Sequence, residues 1–103
     1  MAKEIDKEKA LMVFLRYGLR HQTRKFAEES YELIEALLAP NRANFDNIEH
    51  VKEEIADCCV LIEQFKQFYN FSDESIADIA NAKIERQLKR IENEKDDNCN
   101  CAD

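Results

Sequence analysis

The shortage of turn-forming residues constrains this chain most, because Gly and Pro each occur once in 103 residues. Hairpins and closed barrels need such residues at many turns, so the chain has few places to build them. Glu, Lys, Ala, Leu, Ile and Gln dominate the sequence instead, and they favour helices. We therefore expect one small all-α domain over residues 1–95, followed by a polar tail at 96–103.

Apolar residues recur at helical spacing in four stretches, which predicts four helices. The single Gly, Gly18, ends the first helix, and the single Pro, Pro40, follows the second. Ser72 is a good N-cap for the last helix. Short loops between helices favour an antiparallel four-helix bundle. The predicted helices span about 6–17, about 19–22 to 39, 46–69 and 72–93.

The last two predicted helices carry more apolar surface than a monomer of this size can bury. We therefore expect homo-oligomerisation, as a dimer or a tetramer, to complete the core. The third predicted helix carries Ile48, Ile55, Ile62 and Tyr69 at helical spacing. The residues predicted to face inward on the last helix include Ile76, Ile79, Ile84, Leu88 and Ile91.

Charge and hydropathy exclude several classes of partner. A net charge of −7 argues against nucleic-acid binding, whereas a free nucleotide is compatible because metal ions can bridge it to acids. No apolar run approaches the roughly 20 residues of a membrane span, and the charged N-terminus lacks a signal sequence. We expect a cytoplasmic protein with reduced cysteines, since Cys58-Cys59 and Cys99-x-Cys101 do not form zinc-ribbon pairs.

Two pairs of acidic residues fall on helix faces where the pattern calls for apolar residues. Glu29 and Glu32 are three apart on the second predicted helix, as are Glu54 and Asp57 on the third. Burying a carboxylate costs several kcal/mol unless it is paired or bound to metal. Glu54 begins an inward stripe that continues through Asp57, Cys58, Leu61, Phe65 and Phe68, and the opposite face carries Lys52, Glu53, Glu63, Gln64 and Gln67.

If these two helices pack antiparallel, the four acids converge into a ring of carboxylates. An all-oxygen ring suits Mg²⁺, with Mn²⁺ as a possible substitute, better than zinc. The alternative is a structural network in which Lys25, Lys52 or an arginine neutralises the acids. The residues by themselves leave both interpretations open.

The order of the motifs resembles the MazG-like family of all-α nucleotide pyrophosphohydrolases, in its short single-domain form. Glu28-Glu29-x-x-Glu32 followed by Glu54-x-x-Asp57 is similar to the family's E-E-x-x-E and E-x-x-D motifs. Asn81-x-Lys83-x-x-Arg86 resembles its N-x-K-[FI]-x-x-R element. Further similarity, over about residues 10–92, includes Gly18-x-x-His21-Gln22, Asn47-Ile48 and Phe71-Ser72-Asp73.

The resemblance implies Mg²⁺-dependent hydrolysis of a nucleoside triphosphate to the monophosphate and pyrophosphate. It implies Glu29, Glu32, Glu54 and Asp57 as metal ligands, and Glu28 as a catalytic carboxylate in the outer shell or on a second metal. Substrate contacts are expected from Asn81, Lys83 and Arg86, with Lys25 and Gln22 as further candidates.

Several alternatives stay open at the level of sequence. Lys25 can pair with Glu29 instead of contacting substrate, and His21 and Gln22 can lie on the surface without binding anything. The larger family members carry Trp before the first acidic motif, and this chain has none. Phosphoribosyl-ATP, dUTP or dCTP are alternative substrates, and a catalytically silent nucleotide- or partner-binding module is the alternative of another class.

Overall fold

A computed structural model describes residues 3–40 and 44–94 of the chain. The described residues form helices α1 (Lys7–Leu37), α2 (Phe45–Phe68) and α3 (Asp73–Glu94), and they contain no strand. This confirms the all-α prediction. No helix in this described part has both the length and the apolar character needed to cross a bilayer. The predicted tail at 96–103 lies outside the described residues.

Gly18 breaks α1 sharply without ending it. Its backbone has φ 87° and ψ 166°, while helical residues continue on both sides. A residue with a side chain rarely adopts a positive φ, so Gly supplies the conformation that the break requires. The first two predicted helices are therefore the two halves of α1, residues 7–17 and 19–37, with no loop between them. We call residues 7–17 the N-terminal segment.

The helix ends follow local capping rules. The Asp6 side chain accepts a hydrogen bond from the backbone N–H of Lys9, and Asn44 accepts from that of Asp46. Tyr69 caps the C-terminal end of α2, and the next residue, Asn70, has φ 58°. The predicted bounds of the long helices were thus correct to within about two residues, the usual uncertainty at a helix end.

α1 and α2 form an antiparallel hairpin. Near its open end the Phe26 ring packs edge-on against Phe65, with centroids 5.7 Å apart. Near its turn the side-chain amide of Asn47 donates to the carbonyl of Ala36 at 3.2 Å. The start of the second half of α1 thus contacts the end of α2, and the end of α1 contacts the start of α2. The buried apolar residues are Ala10, Phe14, Ala36, Cys58 and Leu61.

The N-terminal segment packs on the C-terminal end of α2, so the chain turns back at Gly18. Ala10 and Gln22 both hydrogen-bond to the side-chain amide of Gln64. In a straight helix these two residues would be about 18 Å apart along the axis. Phe14 is 3% exposed and packs on Phe68 with ring centroids 5.3 Å apart. The break at Gly18 therefore places a short helix over the end of α2.

The chain divides into two compact units, Met1–Asn70 and Phe71–Asp103, and each is described here by itself. In the second unit the Ser72 hydroxyl accepts a hydrogen bond from the backbone N–H of Ser75, which confirms the predicted N-cap. No described residue of α3 is buried, so its predicted inward stripe is exposed in the single chain. Whether residues 1–95 act as one domain stays a prediction.

Candidate metal centre

Three carboxylates from α1 and α2 converge in the hairpin. Glu29, Glu54 and Asp57 each offer an oxygen, and these three oxygens lie within 4.8 Å of one another. Glu29 and Glu54 are buried, whereas Asp57 is exposed. We call these three residues the carboxylate cluster. All three were predicted to lie on the apolar faces of their helices, and the burial of Glu29 and Glu54 confirms this for those two, whereas the exposure of Asp57 shows that it lies at the edge of the interface. Their role as ligands, which the resemblance implied, stays a prediction.

The packing of α1 against α2 explains why the cluster forms at this point along the two helices. Glu29 lies one turn after Phe26, whose ring contacts Phe65 of α2. Glu54 lies one turn before Cys58, which is buried in the same interface. The antiparallel arrangement therefore sets Glu29 opposite the Glu54–Asp57 pair. Acidic residues thus occupy interface positions that apolar side chains would otherwise fill.

Glu32 and Glu28, the other predicted acids, are exposed and lie outside the set of three converging oxygens. Glu32 is still close enough for its charge to raise the pKa of both Glu54 and Asp57. The structure thus brings three of the four predicted ligands together and leaves Glu32 at the edge of the cluster.

Burial and mutual repulsion shift the proton affinities of the cluster. Burial raises the pKa of Glu54, and hydrogen bonding with Glu29 and the charge of Glu32 add to this effect. Burial also raises the pKa of Asp57, with the charge of Glu29 as the next cause. Burial also tends to raise the pKa of Glu29, but hydrogen bonds with Lys25, Glu54 and Asp57 outweigh burial, so the pKa of Glu29 is lowered. Protonation is therefore favoured at Glu54 and Asp57 and disfavoured at Glu29.

Two basic side chains lie near the cluster but do not neutralise all three acids. Lys25 Nζ lies 3.2 Å from Glu29 Oε1, and His50 Nε2 lies 3.8 Å from Glu54 Oε1. Lys52 pairs instead with Glu49, at 3.2 Å. The pairing of Lys25 with Glu29, one of the two sequence-level alternatives, is thus observed. A fully neutralised network is not seen among residues 3–40 and 44–94, where the basic partners of the three acids are one lysine and a histidine beyond hydrogen-bonding distance.

One oxygen of the cluster has no partner. Glu54 is 5% exposed, and its Oε2 atom is buried without a hydrogen-bond partner among the described residues. Buried polar atoms are almost always paired, because an unpaired one loses its hydration without compensation. A hard divalent cation would supply the missing partner, and three carboxylate oxygens are ligands of the kind that Mg²⁺ and Mn²⁺ take. The donor set therefore fits such an ion.

Two adjacent cavities open beside the cluster. The smaller, about 290 Å³, is lined by Glu29 and Asp57 of the cluster. The larger, about 490 Å³, is lined by Tyr17, His21 and Arg24 together with the predicted site residue Glu28. The two cavities share Val13, Gln22 and Lys25 as wall residues. Both predicted α1 contacts, Gln22 and Lys25, therefore lie between the acidic cluster and the larger cavity.

The predicted phosphate contacts Asn81, Lys83 and Arg86 are exposed residues of α3, in the second unit. Their role stays a prediction.

Sequence reasoning missed several residues of this region. Gln64 and Glu63 were predicted on the solvent-facing side of α2, and both are buried. Gln64 lies three residues after Leu61 and seven after Asp57, so helical spacing already places it on the inward stripe, where it contacts Gln22 and the N-terminal segment. His50 was also missed, although its position four residues before Glu54 was a usable signal.

Comparison with known proteins does not identify the chain, since no family model, curated protein or solved structure matches it. The resemblance to the MazG-like family therefore rests on the motifs quoted above.

Proposed function

We propose that the chain is a divalent-cation-dependent phosphohydrolase whose cation binds between Glu29, Glu54 and Asp57. The observation that carries this proposal is the convergence of three carboxylate oxygens within 4.8 Å of one another, in a cluster where Glu54 also has a buried oxygen without a partner. A purely structural cluster would leave that oxygen unpaired. The cation is proposed to be Mg²⁺, with Mn²⁺ able to replace it.

Within this class, we propose a nucleoside triphosphate pyrophosphohydrolase that releases the monophosphate and pyrophosphate. The order of the acidic motifs supports this activity through its resemblance to MazG-like proteins. The cavity walls add support, because Lys25 contacts Glu29 of the cluster and lines both cavities, and Arg24 adds a second cationic side chain to the larger one. By the same resemblance, Asn81, Lys83 and Arg86 would contact the triphosphate.

The roles of the chain's own residues follow from their placement. Glu29, Glu54 and Asp57 hold the cation, which when bound would neutralise phosphate oxygens and acidify a water molecule. Glu28 lines the larger cavity and is proposed to accept the proton of the attacking water, as a general base. The water oxygen then bonds to the α-phosphorus, the bond to the bridging oxygen breaks, and pyrophosphate departs with that oxygen. Lys25 would stabilise the charge that develops on the phosphates.

We also propose that the chain works as a homo-oligomer, a dimer or a tetramer, with a four-helix arrangement of the all-α NTP pyrophosphatase type. Support comes from four apolar residues on α2 that recur every seven positions and that the hairpin leaves exposed: Ile48, Ile55, Ile62 and Tyr69. An exposed apolar stripe of this length is typical of a contact surface. A cytoplasmic location is proposed as well, and the free thiols of Cys58 and Cys59 fit a reducing compartment.

The test is a substrate panel with purified full-length protein and Mg²⁺. Canonical and modified nucleoside triphosphates, dUTP, dCTP and phosphoribosyl-ATP are offered, and released pyrophosphate is measured. Glu54→Gln and Asp57→Asn should abolish release, while Glu53→Gln, an exposed acid on the same helix, should leave it unchanged. Unchanged turnover in the first two variants would refute the site. Cation-dependent nucleotide binding without turnover would favour a silent binding module.

A further inference from the structure

Gln64 is the most deeply buried polar residue of the described chain, at 0% exposure. Both ends of its side-chain amide are engaged. Its Oε1 accepts a hydrogen bond from Gln22 Nε2 at 3.0 Å, and its Nε2 donates one to the backbone carbonyl of Ala10 at 3.0 Å. A buried amide is tolerated when its groups are paired in this way, and losing one partner is costly.

The two partners of Gln64 lie on opposite sides of the helix break. Ala10 belongs to the N-terminal segment, and Gln22 belongs to the second half of α1. Gln64 therefore ties both halves of α1 to α2 through one side chain. A second hydrogen bond, from Gln67 Nε2 to the carbonyl of Lys7 at 3.0 Å, holds the far end of the segment.

The segment held by Gln64 forms a wall of both cavities. Val13 lines the smaller and the larger cavity, and Tyr17 lines the larger. Gln22 also lines both, but its amide is already engaged, because its Oε1 lies 2.8 Å from His21 Nδ1 and its Nε2 bonds to Gln64. Both polar groups of the Gln22 side chain are thus engaged in hydrogen bonds within the protein.

We infer that Gln64 is a positioning residue that sets the shape of the cavities beside the carboxylate cluster. It fixes the N-terminal segment across the Gly18 break, and Gln22 acts through this network instead of contacting substrate. Loss of the Gln64 amide lets the segment move away from α2 and widens the cavities. The expected effect on substrate affinity rests on the proposed function, whereas the effect on the segment does not.

Gln64→Met tests the inference, because Met fills a similar volume without either hydrogen bond. Gln67→Met is the matched control, since it removes a hydrogen bond to the same segment from a residue that lines neither cavity. The probe is the nucleoside triphosphate that the wild type hydrolyses fastest, with Mg²⁺. We expect Gln64→Met to raise KM about tenfold, the equivalent of one to two hydrogen bonds, with kcat changed less than about threefold. Gln67→Met should leave KM within about twofold of wild type.

Three further measurements separate positioning from general damage. Mn²⁺ affinity by calorimetry should be unchanged in Gln64→Met, because the cluster ligands are untouched. Amide hydrogen exchange in residues 10–17 should accelerate at least about tenfold in this variant. The double variant Gln22→Met/Gln64→Met should have a KM no higher than that of Gln64→Met alone, as expected for two residues of one network.

Some results would overturn the inference. These are a folded Gln64→Met protein with wild-type KM and wild-type exchange in residues 10–17, or additive effects of Gln22→Met and Gln64→Met on KM. If Gln64→Met does not fold, Gln22→Met decides, because it removes the hydrogen bond that orients the Gln64 amide towards Ala10 and must therefore accelerate exchange in the segment. If the wild type hydrolyses and binds no nucleotide, the proposed function fails while the exchange comparison still decides the role of Gln64.

Discussion

The backbone of Gly18 allows a quantitative prediction for the variant Gly18→Ala. At φ 87° and ψ 166° the residue lies in a region that is essentially restricted to Gly. Holding a residue with a side chain there costs about 1–3 kcal/mol. A Cβ built on Gly18 meets no atom within 4 Å, so a steric clash adds nothing to this cost. The penalty is therefore purely conformational.

The variant has two ways to respond, and their magnitudes decide between them. It can keep the break and bear a strain of about 2 kcal/mol. It can also straighten α1, which loses the hydrogen bonds from Gln64 and Gln67, about 1 kcal/mol each, and exposes Phe14. Exposing a Phe costs about 2 kcal/mol more, while Ala in a helix recovers about 1 kcal/mol relative to Gly. Straightening is therefore the more costly response, at about 3 kcal/mol net.

We therefore expect Gly18→Ala to keep the break and to lose about 2 kcal/mol in the free energy of unfolding. Urea denaturation followed by circular dichroism measures the loss, and hydrogen exchange in residues 10–17 reports whether the break persists. Ala27→Gly, at an exposed position of the same helix, is the control and should cost about 1 kcal/mol. A Gly18→Ala protein as stable as the wild type, or more stable, would refute the argument from backbone conformation.

Three further predictions concern the cluster, the thiols and the exposed stripe. Because burial raises the pKa of Glu54 and Asp57, their contribution to the stability of the metal-free protein is present at low pH and lost as the pH rises through the raised pKa values. Mn²⁺ needs the ionised forms, so the Tm increase it causes should grow with pH, and a pH-independent increase would contradict this. Iodoacetamide should label exposed Cys59 before Cys58, whose burial raises its thiol pKa, and equal labelling by mass spectrometry would count against it. Ile62→Glu should shift sedimentation towards the monomer with helicity retained, and an unchanged sedimentation coefficient would remove the α2 stripe as the oligomer contact.

Local patterns predicted the helices and the acidic residues of the cluster. The apolar spacing located α2 and α3 closely, and the hydroxyl of Ser72 caps α3 as expected. The burial of Glu29 and Glu54 followed from their place on apolar faces. These features depend on residues a few positions apart, and for that reason periodicity and capping rules could predict them.

The missed features depend on contacts between distant parts of the chain. Gln64 was expected on a solvent face although it lies three residues after Leu61, but its hydrogen-bond partners Ala10 and Gln22 come from distant parts of the chain. Gly18 was recognised as a stop, but its spacing does not reveal the direction in which the chain continues. The apolar stripe of α3 is exposed in the single chain, so its burial, if any, depends on contacts outside the hairpin.

The ion pair between Lys25 and Glu29 has a thermodynamic consequence for any ligand of this hairpin. Lys25 Nζ is held 3.2 Å from a cluster oxygen, yet the same side chain lines both cavities. A cation seated on the three acids would compete with the ammonium group for Glu29 and release it towards an anion in the cavity. By linkage, a bound anion must then raise the affinity for the cation by the same factor. Metal and phosphate would thus each titrate more tightly in the presence of the other.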